Sequence, residues 1–157
     1  MEIVKPESTD FTVPEDTYHF AITDAALVKG NNGIYAQLAF TVQEGDQTGK
    51  TLNFQNYFFT EKAVWRFINL LEAVSDTTFT PGQKVDFDPE TQIDELLNEE
   101  FWGKVTRKPD TYKEEQTGEK AWRNEVQRCF SLSRYAQMRK DTDAYVASAP
   151  EREKMPF

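Results

Sequence analysis

Residues 34–58 contain two runs of alternating apolar and polar side chains, one on either side of a predicted turn. From Ile34 to Val42 every second residue is apolar, which is the pattern of a strand with one buried face. A connector rich in Gly, Asp and Gln follows, and the chain is expected to reverse direction there. The second run then continues to Phe58. The stretch therefore predicts a β-hairpin.

The alternation also assigns the two faces of this hairpin. In the first strand it places Tyr35 on the outer face. In the second strand Phe54 and Phe58 continue the apolar face, whereas Tyr57 points outward by the same parity. Asn56 interrupts the apolar face and indicates a bulge nearby. The outer face is polar and carries tyrosines, which suggests that it contacts a partner.

Further elements are predicted on both sides of the hairpin. Residues 17–29 alternate at first and predict another strand, which a Gly-Asn-Asn-Gly turn separates from the hairpin. Residues 61–74 place apolar side chains at helical spacing, so they predict an amphipathic helix with Trp65 in its buried stripe. Two stretches that mix aromatic and basic residues, 101–108 and 121–133, predict the last two strands.

The predicted order is three strands, a helix and two more strands, which is the order of an OB-fold. We therefore expect a mainly β fold with helices: a five-stranded Greek-key barrel with a helix between strands three and four. A length of 157 residues suits one domain. This domain is expected over residues 17–133, after an N-terminal arm at 1–16 and before a C-terminal helix or tail at 134–157. Other small α+β barrels share the same order of elements.

The charge of the chain is distributed unevenly. The formal net charge is −9, but residues 103–140 contain ten basic and five acidic side chains and carry +5. A basic segment inside an acidic protein indicates a polyanionic partner. A solvated charged surface is the alternative interpretation of the same segment.

Aromatic residues alternate with the cations of this segment, and that mixture suits single-stranded nucleic acid. Cationic side chains follow the phosphates, and each base that stacks on an aromatic ring contributes roughly 1–3 kcal/mol. Together with hairpin residues, the predicted DNA-binding residues are Tyr35, Lys50, Tyr57, Trp102, Lys104, Arg107, Lys108, Tyr112, Lys113, Lys120, Trp122, Arg123 and Arg128. For the two tryptophans of this set, the alternative is that they close the bottom of the barrel.

Catalysis has no support in the sequence. The chain has one histidine, His19, and one cysteine, Cys129, which is weak material for a zinc site or a nucleophilic pair. We therefore expect no enzyme activity, no metal and no cofactor. Two alternatives stay open: a metal-dependent nuclease or hydrolase that uses the acidic stretch 86–100, and a β-barrel that binds a partner protein.

Five pieces of the chain occur in a familiar order and spacing: VPEDTYHFAITDA, YAQLAFTVQEGDQTGKTL, NYFFTEKAVWRFINLLEAV, ELLNEEFWGKVTRK and RNEVQRCFSL. From Phe11 to Leu132 they resemble the phage-encoded OB-fold single-stranded-DNA-binding proteins. The resemblance implies sequence-tolerant binding of single-stranded DNA in phage-type DNA replication or recombination. Homo-oligomer formation stays open.

We expect a soluble protein that is located in the cytoplasm. If the protein is phage-encoded, this is the cytoplasm of the host cell. No apolar run approaches the ~18 residues of a membrane helix, and the N-terminal residues lack the apolar core of a signal peptide. A single cysteine also suits a reducing compartment.

The chain ends in Met155, Pro156 and Phe157, which resemble the Pro-Phe tip of bacterial single-strand-binding proteins. The resemblance implies that Pro156 and Phe157 dock onto replication proteins. Residues 141–157 carry −2, so this tail could also compete with DNA for the basic segment. An inert solubilising tail is the alternative.

Overall fold

The computed structural model describes residues 2–4, 10–31 and 33–147, with side chains described as far as residue 144. The strands in these ranges are β1 (Asp16–Gly30), β2 (Gly33–Val42), β3 (Thr51–Phe58), β4 (Glu100–Pro109) and β5 (Trp122–Phe130). The helices are α1 (Val64–Ser75), α2 (Pro89–Gln92), α3 (Thr111–Thr117) and α4 (Leu132–Ala147), with a 3-10 turn at Ile93–Leu96.

The strands form one antiparallel sheet in the order β3-β2-β1-β4-β5. β1 is the central strand: it pairs with β2 from Phe20 to Gly30 and with β4 from Asp16 to Ala21. The prediction of a mainly β fold, with five strands and a helix between strands three and four, is confirmed. Backbone pairing leaves β3 and β5 as the two edges of the sheet.

Aromatic side chains fill the core of the protein. Phe20, Phe40 and Phe101 come from β1, β2 and β4, are fully buried, and have ring centroids 4.9 to 5.8 Å apart. Gly103 makes room for this cluster, because a Cβ atom there would lie 3.0 Å from the Phe20 ring. Phe67 of α1 extends the cluster and anchors the helix on the sheet.

A bulge in β3 reverses the faces that the sequence predicted for this strand. Leu38 pairs with Gln55, but Phe40 pairs with Leu52, so two residues of β3 oppose one residue of β2. The bulge lies at residues 53–54, slightly before the predicted position.

Phe54 in the bulge and the residues after it therefore lie on the opposite face from the predicted one. Tyr57 is only 2% exposed and packs in the core, whereas Phe54 is 75% exposed and Phe58 is also exposed. The predictions of an outward Tyr57 and of an inward Phe54 and Phe58 are wrong. Strict alternation cannot hold across an inserted residue, because one extra residue shifts every later side chain to the other face.

α1 has a narrower buried face than the sequence indicated. Phe67, Leu70 and Leu71 are buried, but Trp65 is 60% exposed. The prediction that Trp65 belongs to the core is therefore wrong. The sheet covers only one side of α1, so the other apolar residues of the helix are buried and Trp65 stays outside the contact.

Side chains join the two edges of the sheet. Gln55 of β3 is 4% exposed, its Nε2 donates to the carbonyl of Asn124 at 3.0 Å, and its Oε1 accepts from the backbone N–H of Val126 at 3.1 Å. Further along β5, the Asn69 side chain of α1 binds both the N–H and the C=O of Cys129, at 2.8 and 3.2 Å. Polar groups on the free edge of β5 thus have partners without a backbone ladder.

Candidate nucleic-acid interface

A groove of about 880 Å³ opens between the bulged part of β3, α3 and the first residues of β5, with the N-terminal arm along one wall. The aromatic side chains that line it are Phe11, Phe54, Tyr112 and Trp122, and all four have exposed surface. Two cationic side chains, Lys113 and Arg123, also line it. We call this surface the aromatic groove.

α3 forms one rim of the aromatic groove. The Asp110 side chain caps the helix by accepting a hydrogen bond from the N–H of Lys113 at 3.1 Å. The helix ends at Gly118, whose φ of +73° suits the turn back toward β5. The N–H of Asp110 donates to the carbonyl of Ala121 at 2.8 Å and closes the base of the connection. Tyr112 is thus presented from an ordered helix.

The N-terminal arm forms a second wall because it is anchored at Val13. This residue is fully buried, and its backbone N–H and C=O both bind the Asn124 side chain, at 2.8 and 2.9 Å. Phe11 lies two residues before the anchor and leaves most of its ring exposed in the groove. Phe11 and Thr12 of the arm are therefore part of the aromatic groove.

Arg107 holds Trp122 and the arm together. Its guanidinium carbon lies 4.1 Å from the centre of the Trp122 ring, and its Nε donates to Thr12 Oγ1 at 2.9 Å. The guanidinium also forms an ion pair with Asp10. Hydrogen bonds from Thr12 and Arg107 lower the pKa of Asp10 to about 2, so its carboxylate is charged at neutral pH.

The structure divides the predicted DNA-binding residues into three groups. Tyr112, Lys113, Trp122 and Arg123 lie in the aromatic groove. Lys50 precedes the groove residue Thr51 in the chain, Arg107 contacts Trp122, and Lys108 is paired with Arg123 across β4 and β5. The remaining residues of the prediction neither line nor adjoin the groove: Tyr35, Tyr57, Trp102, Lys104, Lys120 and Arg128.

The two hairpin tyrosines do not enter the groove. Tyr57 is buried against Phe40 and Phe67, so it has no surface for stacking on a base. Burial raises its pKa well above the usual value. Tyr35 is half-buried at the other end of the hairpin, where its ring centroid lies 5.1 Å from that of Phe58.

Glu125 compensates part of the positive charge that the sequence places on β4 and β5. Its carboxylate forms ion pairs with Arg123 at 3.4 Å, with Lys108 at 3.5 Å and with Arg66 of α1 at 3.7 Å. Arg123 and Lys108 are therefore partly neutralised by one carboxylate before any ligand binds. Lys104 and Arg128 are paired across β4 and β5 and are exposed.

Trp102 stacks on other side chains of the protein. Its ring centroid lies 4.1 Å from that of Tyr135 in α4 and 5.2 Å from that of His19 in β1. These contacts dock α4 on the sheet. They agree with the alternative in which this tryptophan has a structural role.

Sequence reasoning missed two residues of the groove, Phe11 and Phe54. Phe11 belongs to the predicted arm and had no partner in the chain that could be recognised. Phe54 was assigned to the core by parity. The signal that could have changed this assignment was Asn56, because this polar residue interrupts the apolar face and indicates a bulge nearby.

The acidic stretch 86–100 shows no convergence of ligands. Within residues 10–31 and 33–144, no three His, Cys, Asp or Glu side chains are placed to hold one metal ion. Asp88 instead caps α2 by accepting a hydrogen bond from the N–H of Glu90 at 3.1 Å. Pro156 and Phe157, the predicted docking residues, lie outside the described residues.

No protein-family model matches this chain, and no curated protein matches it either. Among the helices that the structure describes, none has the length and apolar character needed to cross a membrane.

Proposed function

We propose that this protein binds single-stranded DNA in the aromatic groove, without sequence preference and without catalysis. The observation that carries the proposal is the convergence of four exposed rings with Lys113 and Arg123 on one surface. Every base has a flat face, so aromatic stacking tolerates any sequence. Lys113 follows Tyr112 in the chain and Arg123 follows Trp122, so two of the four rings have a cation next to them that suits a phosphate of the strand.

The topology supports an OB-fold as the scaffold. The ladders connect β3-β2-β1-β4-β5, which is the order of strands in an OB-fold, and the Gln55 side chain bridges the two edge strands, β3 and β5, without a backbone ladder between them. OB-folds bind oligonucleotides on the face of strands two and three, beside the loop between strands four and five. The aromatic groove involves β3 and the connection between β4 and β5, which is the corresponding region.

The biological role is the wider part of the same proposal. The resemblance in sequence favours DNA replication or recombination of the phage type, in the cytoplasm of the host cell. Docking of replication proteins on Pro156 and Phe157 belongs to this part of the proposal. A pull-down compares the full chain with a chain that lacks residues 148–157. We expect the full chain to retain a replication partner and the shortened chain to lose it.

Fluorescence anisotropy with a short labelled oligo-dT tests the binding proposal directly. We expect saturable binding at low salt, and weaker binding of an equally long duplex, because its bases are not free to stack. Tyr112→Ala should weaken binding about tenfold, which corresponds to the loss of one stacking contact. Phe58→Ala is the matched control, since this exposed ring lies on β3 but outside the groove. Absence of binding by the unmodified protein would overturn the proposal.

A further inference from the structure

Phe54 combines an exposed aromatic ring with an unusual backbone conformation. Its φ is +58°, and the other described non-glycine residues with positive φ are Asp76 and Asn98. Asp and Asn adopt this left-handed region several times more often than most residues, whereas bulky side chains rarely do. Asp76 also ends α1, where such a conformation is common. Phe54 lies in the bulge of β3, where a left-handed residue is usually glycine and not a bulky aromatic residue.

The Gln55 side chain holds the backbone on both sides of Phe54. Its Nε2 donates to the carbonyl of Asn53 at 3.2 Å and to that of Asn124 at 3.0 Å, while its Oε1 accepts from the N–H of Val126. The amide is buried, so these bonds are not replaced by bonds to solvent without cost. Gln55 therefore points inward, and Phe54 can only point outward.

We propose that Gln55 is a positioning residue, which fixes Phe54 in the left-handed conformation so that its ring is a rigid stacking platform of the aromatic groove. The proposal rests on the proposed function. Strained backbone persists where the surroundings determine it, and such positions cluster at ligand sites. A ring that is already fixed loses less conformational freedom when a base stacks on it, which favours binding.

Two substitutions of Phe54 separate the ring from the strain. Phe54→Ala and Phe54→Gly both remove the ring, so both should bind oligo-dT about tenfold more weakly than the unmodified protein. Only glycine adopts positive φ without strain. Phe54→Gly should therefore melt about 2–4 °C higher than Phe54→Ala. Phe58→Ala again serves as the control for loss of an exposed ring.

A double-mutant cycle tests the role of Gln55. Gln55→Ala should weaken binding in the unmodified background, at a temperature where circular dichroism shows all variants to be folded. If Gln55 acts through Phe54, the same substitution in the Phe54→Ala background should cause little further loss. An equal loss of affinity in both backgrounds would mean that Gln55 has only a structural role. This result would overturn the proposal that Gln55 positions Phe54.

The remaining outcomes distinguish the inference from the function on which it rests. An unmodified protein that does not bind oligo-dT overturns both. If the unmodified protein and Phe54→Ala bind oligo-dT equally well, the proposed stacking role of Phe54 is overturned, but the proposed function is not. If Phe54→Ala and Phe54→Gly have equal melting temperatures, the claim that the backbone is strained at residue 54 is overturned. If Gln55→Ala does not fold, Gln55→Met replaces it in the cycle, because it retains the length of the side chain.

Discussion

Single residues decide which surfaces of this protein face solvent. One extra residue in β3 buries Tyr57 and exposes Phe54, although both belong to the same short strand. The exposure of each side chain then decides whether it can contact a ligand. A phenol that was expected to meet a base lies in the core, and a phenyl ring that was expected in the core lines a groove.

Tyr57→Phe should leave oligo-dT affinity unchanged and should not lower the melting temperature. The Tyr57 hydroxyl is buried and has no hydrogen-bond partner among the described residues, so the fold does not depend on it. Removing a buried hydroxyl without a partner is neutral or stabilising. Thermal denaturation and anisotropy check both expectations. A clear loss of affinity would mean that this residue reaches the ligand.

Cys129 should be unreactive in the folded protein. Its thiol is buried, and burial raises its pKa to about 12, so thiolate is scarce at neutral or mildly alkaline pH. A chromogenic disulfide reagent should label no thiol in the native protein and one thiol per chain in denaturant. Rapid labelling of the native protein would show that the β5 region opens readily.

At the scale of elements, the contact between α1 and β5 depends on polar side chains as well as on apolar burial. Asn69→Ala should lower the free energy of unfolding by about 1–3 kcal/mol, because it leaves the N–H and C=O of Cys129 without their partner. Trp65→Ala should change stability much less, since this ring is mostly exposed. Denaturant unfolding measures the free energy of unfolding of both variants. A larger loss of stability in Trp65→Ala would mean that Trp65 packs in the core after all.

The arm is a second element whose attachment can be tested, through the pH dependence of stability. The folded pKa of Asp10 is about 2 against a usual 3.8, so its stabilising contribution is present above pH 3.8 and is lost as pH falls toward 2. Asp10→Asn should therefore melt slightly below the unmodified protein at neutral pH. The difference should be small, because the carboxylate is largely exposed, and it should vanish near pH 2. A pH-independent difference would contradict the ion pair.

The elements were more predictable than the site. Periodicity identified the strands and α1, because a buried face imposes its pattern on many residues at once. The groove depends on a single bulge and on the hydrogen bonds of Gln55 to residues about 70 positions away, which no local pattern reveals. Composition indicated Tyr112, Lys113, Trp122 and Arg123 as DNA-binding residues, which stays a prediction; the structure places all four in one groove, because they flank one connection. It could not show that Glu125 pairs with nearby cations.

At the scale of the whole molecule, an acidic protein is proposed to bind a polyanion. The net charge of −9 repels DNA at long range, and the ion pairs of Glu125 reduce the local positive charge. Stacking in the aromatic groove must therefore contribute a large part of the affinity. The groove has few cations: Lys113 and Arg123 line it, and Lys50 and Lys108 adjoin groove residues. Their small number limits the number of phosphate contacts.

The salt dependence of oligo-dT binding should reflect this balance. Each phosphate contact on a single strand contributes about −0.7 to the slope of log K against log salt, so roughly two to four contacts predict a slope of about −1.4 to −2.8. Anisotropy titrations over a series of salt concentrations measure it. Lys113→Gln should make the slope shallower by about 0.7, whereas Tyr112→Ala should lower affinity at every salt concentration and leave the slope unchanged. A much steeper slope would mean that exposed cations outside the groove, such as Lys104 and Arg128, carry the binding instead.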